Sequence, residues 1–208
     1  MSVRWSCAAL IAVASGIACV GGVVAQGTSS NVSSEINVTK DSAPGWLPSE
    51  SQRRDVIKSA NDYLSELDEG RYDGAYALMS EVNKRGVPFE RFVRESQSFH
   101  ARSGPLKQRN FLKVTWTKDP AAAPLPGVYA AIDVASRYEN VDRHCGYVVL
   151  YQKSGGESFQ VMRQESNFID NVTAQSIEQQ KSRAELDKIW ARLAANCPNY
   201  DAGSSKPQ

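Results

Sequence analysis

The stretch His144-Cys-Gly-Tyr-Val-Val-Leu-Tyr-Gln-Lys-Ser-Gly-Gly-Glu-Ser-Phe-Gln-Val-Met-Arg-Gln-Glu-Ser-Asn167 decides the fold. Apolar and polar side chains alternate on both sides of Gly155-Gly156. A glycine pair between two alternating runs marks a β-hairpin, because glycine accepts the positive φ of a tight turn. A two-residue loop pairs Ser154 with Glu157, and hence Gln152 with Phe159, Leu150 with Val161 and Val148 with Arg163. Val128 to Tyr138 alternates in the same way as a second strand. Pairing Tyr138 with His144 sets Val134 opposite Val148 and Ile132 opposite Leu150. One face of the sheet then collects Ile132, Val134, Val148, Leu150, Phe159 and Val161. The other collects Asp133, Cys145, Tyr147, Val149, Tyr151 and Met162, which is too apolar to face water. Upstream, Phe111 to Thr117 has period two, with Leu112, Val114 and Trp116 on one side.

Helical spacing precedes and follows these strands. Ser49-Glu-Ser-Gln52 forms a capping box ahead of Val56, Ile57, Ala60, Tyr63, Leu64 and Leu67, and Asp68-Glu-Gly70 stops that helix. A short helix carries Ala75, Leu78 and Met79. Pro88 opens a third, with Phe89, Phe92, Val93, Ser96 and Phe99 on its stripe, ending before Ser103-Gly104-Pro105. Residues 174–196 read as one amphipathic helix with Leu186, Ile189, Trp190, Leu193 and Cys197 on one side, a cover for the second sheet face. Helices, then at least four strands, then a helix is an α+β order.

The ends of the chain speak to location. Arg4 precedes an uncharged stretch, Trp5 to Ala25, that finishes in Val23-Val24-Ala25, so residues 1–25 read as a signal peptide cleaved before Gln26. Two alternatives stand beside it: retention of residues 5–25 as a membrane anchor, and lipidation at Cys19, whose Gly16-Ile-Ala-Cys19 context is similar to a bacterial lipobox. Cleavage predicts a periplasmic or secreted protein with no stable membrane insertion. Residues 26–50 read as a flexible tether, 51–170 as the α+β domain, 171–197 as the terminal helix and 198–208 as a disordered tail. Cys145 and Cys197 survive cleavage. In an oxidising compartment an even pair on the helix-covered side of the sheet predicts a disulfide.

The run Leu125-Pro-Gly-Val-Tyr-Ala-Ala-Ile-Asp133, followed by Tyr138-Glu139, a Tyr-Val-Val-Leu strand, a Gly turn and Phe159-Gln-Val161, resembles a bacterial family catalogued as domain of unknown function 4019. Leu67-Asp-Glu-Gly-Arg-Tyr72 and Arg102-Ser-Gly-Pro-Leu106 fit it as well. The resemblance covers about residues 55–170. It implies export and a curved, mostly antiparallel sheet packed on N-terminal helices, similar to the cone-shaped nuclear-transport-factor-2-like or cystatin-like fold; the terminal helix with Cys197, read from its own stripe as covering the outer face, lies outside the resemblance. The resemblance carries no activity with it.

Composition narrows the function. The 208 residues hold 24 Lys+Arg against 23 Asp+Glu, so no basic stripe offers itself to nucleic acid, and two histidines leave little for a metal. No nucleophile elbow, P-loop, dinucleotide glycine pattern or zinc-ligand spacing is present, so no cofactor, metal or catalytic residue is expected. Asp133 is a candidate general base in a cone pocket, but alternation turns it away from Ile132, where a salt link to Arg183 or Lys188 of the covering helix is the favoured reading. Arg163 falls with Phe159 and Val161 on the inner face. There it is either an internal salt-bridge partner of Glu66, Asp68 or Glu165, or an anion anchor at the mouth of a pocket walled by Trp116 and Phe159. The leading expectation is an exported, monomeric, non-catalytic domain binding a small ligand or an envelope partner. The alternatives are a cavity enzyme with acid-base chemistry and a structural part of an envelope assembly.

Overall fold

The computed structural model describes residues 35–156 and 158–197. The expectations for the signal peptide, for Cys19, for the tether up to residue 34 and for the tail 198–208 lie outside the described residues. Four long strands, β2 (Leu106–Lys118), β3 (Gly127–Tyr138), β4 (Val141–Lys153) and β5 (Gln160–Ile169), form an antiparallel meander, and β1 (Asn37–Val38) adds to β2 in parallel. Helices α1 (Glu50–Asp68), α2 (Tyr72–Ala77), α3 (Glu81–Gly86) and α4 (Phe89–Ser103) precede β2. Two more, α5 (Asn171–Gln180) and α6 (Arg183–Ala194), follow β5. This is an α+β fold on a curved, open, mixed sheet.

Local chemistry accounts for the main boundaries. Ser49 Oγ accepts from Gln52 N–H while the Gln52 side chain accepts from Ser49 N–H, the reciprocal cap of α1. Gly155 and Gly156 hold φ values of 113° and 89° in the β4–β5 turn. The main core lies between α1 and the concave face, where Val56, Ala60 and Tyr63 meet Ile132, Leu150 and Val161.

Two bulges change the register that simple alternation predicts. Leu150 faces Val161 as expected, but Val149 then faces Arg163 and Val148 faces Gln164, because β5 carries Met162 as an extra residue. A slip of one reverses every later side chain, so Arg163 turns to the outer face and Gln164 takes the inner position. In β2 the extra residue is Leu112, which puts Phe111 on the inner face beside Val114 and Trp116. Between β3 and β4 the turn is tighter than expected: Tyr138 pairs with Val141, an irregularity follows between Tyr138 and Ser136, and beyond it Ser136 meets His144 and Ile132 meets Val148, two residues from the expected register. That shift is even and leaves the faces unchanged.

The segment before α1 differs from a tether. Thr39 N–H donates to Trp116 O and Ala43 N–H to Lys118 O, and Ile36, Val38 and Trp46 pack against the main core. Its Ser- and Pro-rich composition hides three apolar anchors that cover the β2 edge. At the other end, the expected single helix breaks at Lys181-Ser182, and Ser182 caps α6 by accepting from Glu185 N–H.

α5 and α6 close a second, smaller core of Cys145, Ile169, Ala174, Leu186, Trp190 and Cys197 on the outer face. Cys145 and Cys197 are bridged there, with their Cα atoms 5.9 Å apart. Arg183 pairs with Glu178 and Asp187, and Lys188 with Glu185, within the terminal helices. The bridge closes a loop with a sequence separation of 52. By chain entropy, Cys145→Ala/Cys197→Ala should lower unfolding free energy by about 4 kcal/mol. Urea denaturation of parent and double variant checks this; equal midpoints would contradict it.

Candidate functional site

Toward one end of the concave face, the inner positions change character. Ile132, Leu150 and Val161 give way to Ser136, Gly146 and Ser166, which do not fill the space beneath α1 and α4. A cavity of about 320 Å³ results. No side chain fits at Gly146, where an added Cβ would lie 2.1 Å from Glu165 O and 2.9 Å from Ser166 Cα. β4 and β5 thus approach closely at the cavity wall.

The floor is a polar network around Arg109, which is 4% exposed. Its two terminal nitrogens both donate to Asp68, Nη2 to Oδ1 at 3.0 Å, while Nη2 also donates to Tyr138 Oη at 2.8 Å and Nε to Ser136 Oγ at 3.2 Å. Burial works against this charge, but Tyr138 and Asp68 outweigh it and the guanidinium pKa is raised. Burial likewise raises that of Tyr138. At the side of the cavity Tyr63 Oη donates to Gln164 Oε1 at 2.7 Å, and burial pushes the phenol above its ordinary range.

His144 stands beside this network at 8% exposure, with Tyr138, Phe99 and Phe168 ring centroids at 5.5, 5.7 and 6.4 Å. Burial, then the neighbouring Arg109 charge, hold its pKa down at about 3. The imidazole is therefore neutral throughout the physiological range. Apart from a contact with its own main chain, Nδ1 has no hydrogen-bond partner.

The residues singled out from sequence fall elsewhere. Trp116 and Phe159 do meet, edge to face at 6.1 Å, but at 2% and 4% exposure they are packed in the main core and do not line the cavity. Arg163 is on the outer face, 62% exposed, paired with Glu165 and lying over the Tyr147 ring. The bulge at Met162 puts it there, so the guanidinium beside the cavity is Arg109 instead. Part of the floor was open to the alternation argument: the even face of β3 continues from Val134 to Ser136 and Tyr138, and that of β4 extends back to His144. Arg109 was hidden by the bulge at Leu112. Among the described residues, no group of three or more His, Cys, Asp or Glu would hold a metal.

An α+β sheet carrying a cavity with a buried, compensated cation on its floor is the class that this geometry defines. The sequence profile of the family described as Protein of unknown function (DUF4019) matches residues 59–163, about half of the chain, and the protein belongs to that family. No curated protein and no solved structure matches the chain.

Two measurements follow. Between about pH 6.5 and pH 3 the unfolded chain binds a proton at residue 144 that the folded chain refuses, so the stabilisation is complete above 6.5 and declines as pH falls. From pH 7 to pH 5 the parent should lose about 2 kcal/mol more than His144→Phe, read from urea midpoints. A common pH slope would contradict this. Arg109→Ala, which strands Asp68, should cost about 3–5 kcal/mol, whereas Arg163→Ala should stay within about 0.5 kcal/mol. Denaturation of the two variants separates the buried ion pair from the exposed one.

Proposed function

We propose that the protein is an exported domain that holds a small molecule in the cavity beneath α1 and α4 and does not transform it. The observation that carries this reading is the cavity itself. A volume of about 320 Å³ with aromatic and aliphatic walls and a paired guanidinium on its floor has the make-up of a small-molecule site. Catalysis is disfavoured by the same chemistry. An imidazole held near a pKa of 3 is too weak a base for proton transfer at neutral pH, where an effective general base has a pKa close to the working pH.

Export is supported by the apolar leader that ends at Ala25 and by the Cys145–Cys197 bridge, since disulfides belong to oxidising compartments. Among the described residues no helix is long and apolar enough to cross a membrane. The test uses the chain expressed with its own leader. Intact mass should begin at Gln26, and the fluorescent probe N-phenyl-1-naphthylamine should bind with one saturable site. Ser96→Trp, at the cavity wall on α4, should weaken that binding at least about tenfold without lowering the melting temperature. A retained Met1 or a lipid on Cys19 overturns soluble export. Unsaturable probe binding, or equal binding by the variant, overturns the cavity reading.

A further inference from the structure

The two sides of the sheet end differently. β2 is covered by β1 and by the apolar anchors Ile36, Val38 and Trp46, whereas β5 has β4 alone beside it among the described residues. At Val161 the free side of β5 is already taken: its N–H donates to Leu78 O and its C=O accepts from Ser80 N–H, each at 2.9 Å. The edge thus accepts an extended main chain at that point. Since Val161 faces outward, its partner Leu150 faces β3 and the next residue, Val149, faces Arg163. Alternation then returns the main chain of Gln164 and Ser166 to the outward side. Among the described residues no main-chain bond reaches that side of β5 beyond Val161.

This open edge is also a border of the cavity. Gln164 and Ser166 line it and are nonetheless exposed, so the groove between β5 and α4 opens to solvent along the strand. Across the groove stand Val87, Ser96 and Phe99, each partly exposed. The groove has two ends. Leu78 to Ser80 occupy the edge at Val161, and Phe99 packs on Phe168 at 5.0 Å between ring centroids. From Met162 to Asn167 the free strand measures about 20 Å. On the outer face Arg163 and Glu165 answer each other's charge, so what the edge presents toward the groove is uncharged main chain.

Resting on the reading of the cavity as a ligand site, we propose that its ligand is a short peptide in extended form, which adds to β5 as a further strand between Met162 and Asn167. It bonds the outward main chain of Gln164 and Ser166 and sets an apolar side chain into the cavity. N–H and C=O groups repeating every second residue are matched by the main chain of another peptide, and pockets beside such an edge select alternate side chains. A free segment suits a groove closed at both ends. The β5 strand of a second copy does not, because it carries the same two stops.

The probe is acetyl-Lys-Val-Thr-Phe-Thr-Val-Lys-amide, competing for bound N-phenyl-1-naphthylamine on the full chain. It should displace the fluorophore saturably, and the same peptide N-methylated at its three central amides should not. Ser166→Pro removes an N–H that points away from β4, a change an edge strand tolerates. This variant should bind the fluorophore as the parent does, yet need at least about tenfold more peptide for displacement, the loss of one main-chain hydrogen bond. Should it fail to fold, hydrogen exchange of the parent decides: the peptide should slow the Gln164 and Ser166 amides where its methylated form does not. Bound fluorophore that the peptide leaves in place, equal displacement by both peptides or in both proteins, or unchanged exchange overturns strand addition and leaves the cavity reading standing. A parent dimer in analytical ultracentrifugation that Ser166→Pro abolishes makes a second copy the occupant and overturns the peptide. Failure of the fluorophore itself to bind overturns the cavity reading and this one with it.

Discussion

A guanidinium cannot shed its proton, so the neighbourhood of Arg109 has to answer a permanent charge taken out of water. Asp68 does so from the last residue of α1, and Ser136 and Tyr138 do so from β3. The network therefore fixes the C-terminal end of α1 over one end of the sheet. A buried ion pair of this kind gives little net stability over well-packed apolar side chains. Its effect here is positional. It replaces the aliphatic filling that Ile132 and Leu150 supply further along, and it keeps polar groups where a cavity remains open beside α4. The same charge helps to keep His144 neutral, so the ion pair also sets the chemistry of the cavity wall.

Much of this arrangement is written in residue spacing. The apolar stripes of α1 and α4, the capping box at Ser49, the Gly155-Gly156 turn and the even inner faces of β3 and β4 follow from periods of 3.6 and two and from turn chemistry, which act over a few residues. What spacing does not carry is a single extra residue. Met162 and Leu112 look like ordinary members of their strands, yet each puts the two parts of its strand out of step by one, so Arg163, after Met162, leaves the inner face while Arg109, before Leu112, joins the inner network. Bulges answer tertiary needs, here the curvature of the sheet around α1 and the tie between Ser80 N–H and Val161 O at the edge of β5. Those needs are not local, so the candidate site was legible in its neutral members and not in its cation. Trp116 and Phe159 show the opposite limit: their mutual contact followed from the faces, but whether two aromatics border a cavity or fill a core depends on the helix above them.

The sheet separates two cores whose side chains do not mix. The larger, beneath α1, is built from aliphatic and aromatic residues at the concave face; the smaller, beneath α5 and α6, depends on Leu186 and Trp190 and on a covalent bridge. A small apolar cluster buries too little surface to hold two short helices by itself, and a disulfide makes up the difference by limiting the freedom of the unfolded chain. Arg143 reaching Asp187 at 3.7 Å adds a weaker, solvent-accessible tie between the same elements.

The two cores are coupled along three consecutive residues of β4. His144 points to the cavity, Cys145 to the terminal helices, and Gly146 lies where the backbone of β5 leaves no room for a side chain. Anchoring Cys145 from outside restrains the backbone that carries His144 inside, so the terminal helices steady the cavity without touching it. The reach of the family profile then has a physical meaning. Residues 59–163 include Asp68, Arg109, Ser136, Tyr138 and His144, the whole polar floor, but end before Gln164, Ser166 and Phe168 at the β5 wall and before Cys197. The buried polar floor thus sits within the family's matched region. The β5 wall and the Cys197 end of the clamp lie beyond that region, so the outline of the cavity on that side is set by this chain's own C-terminal third.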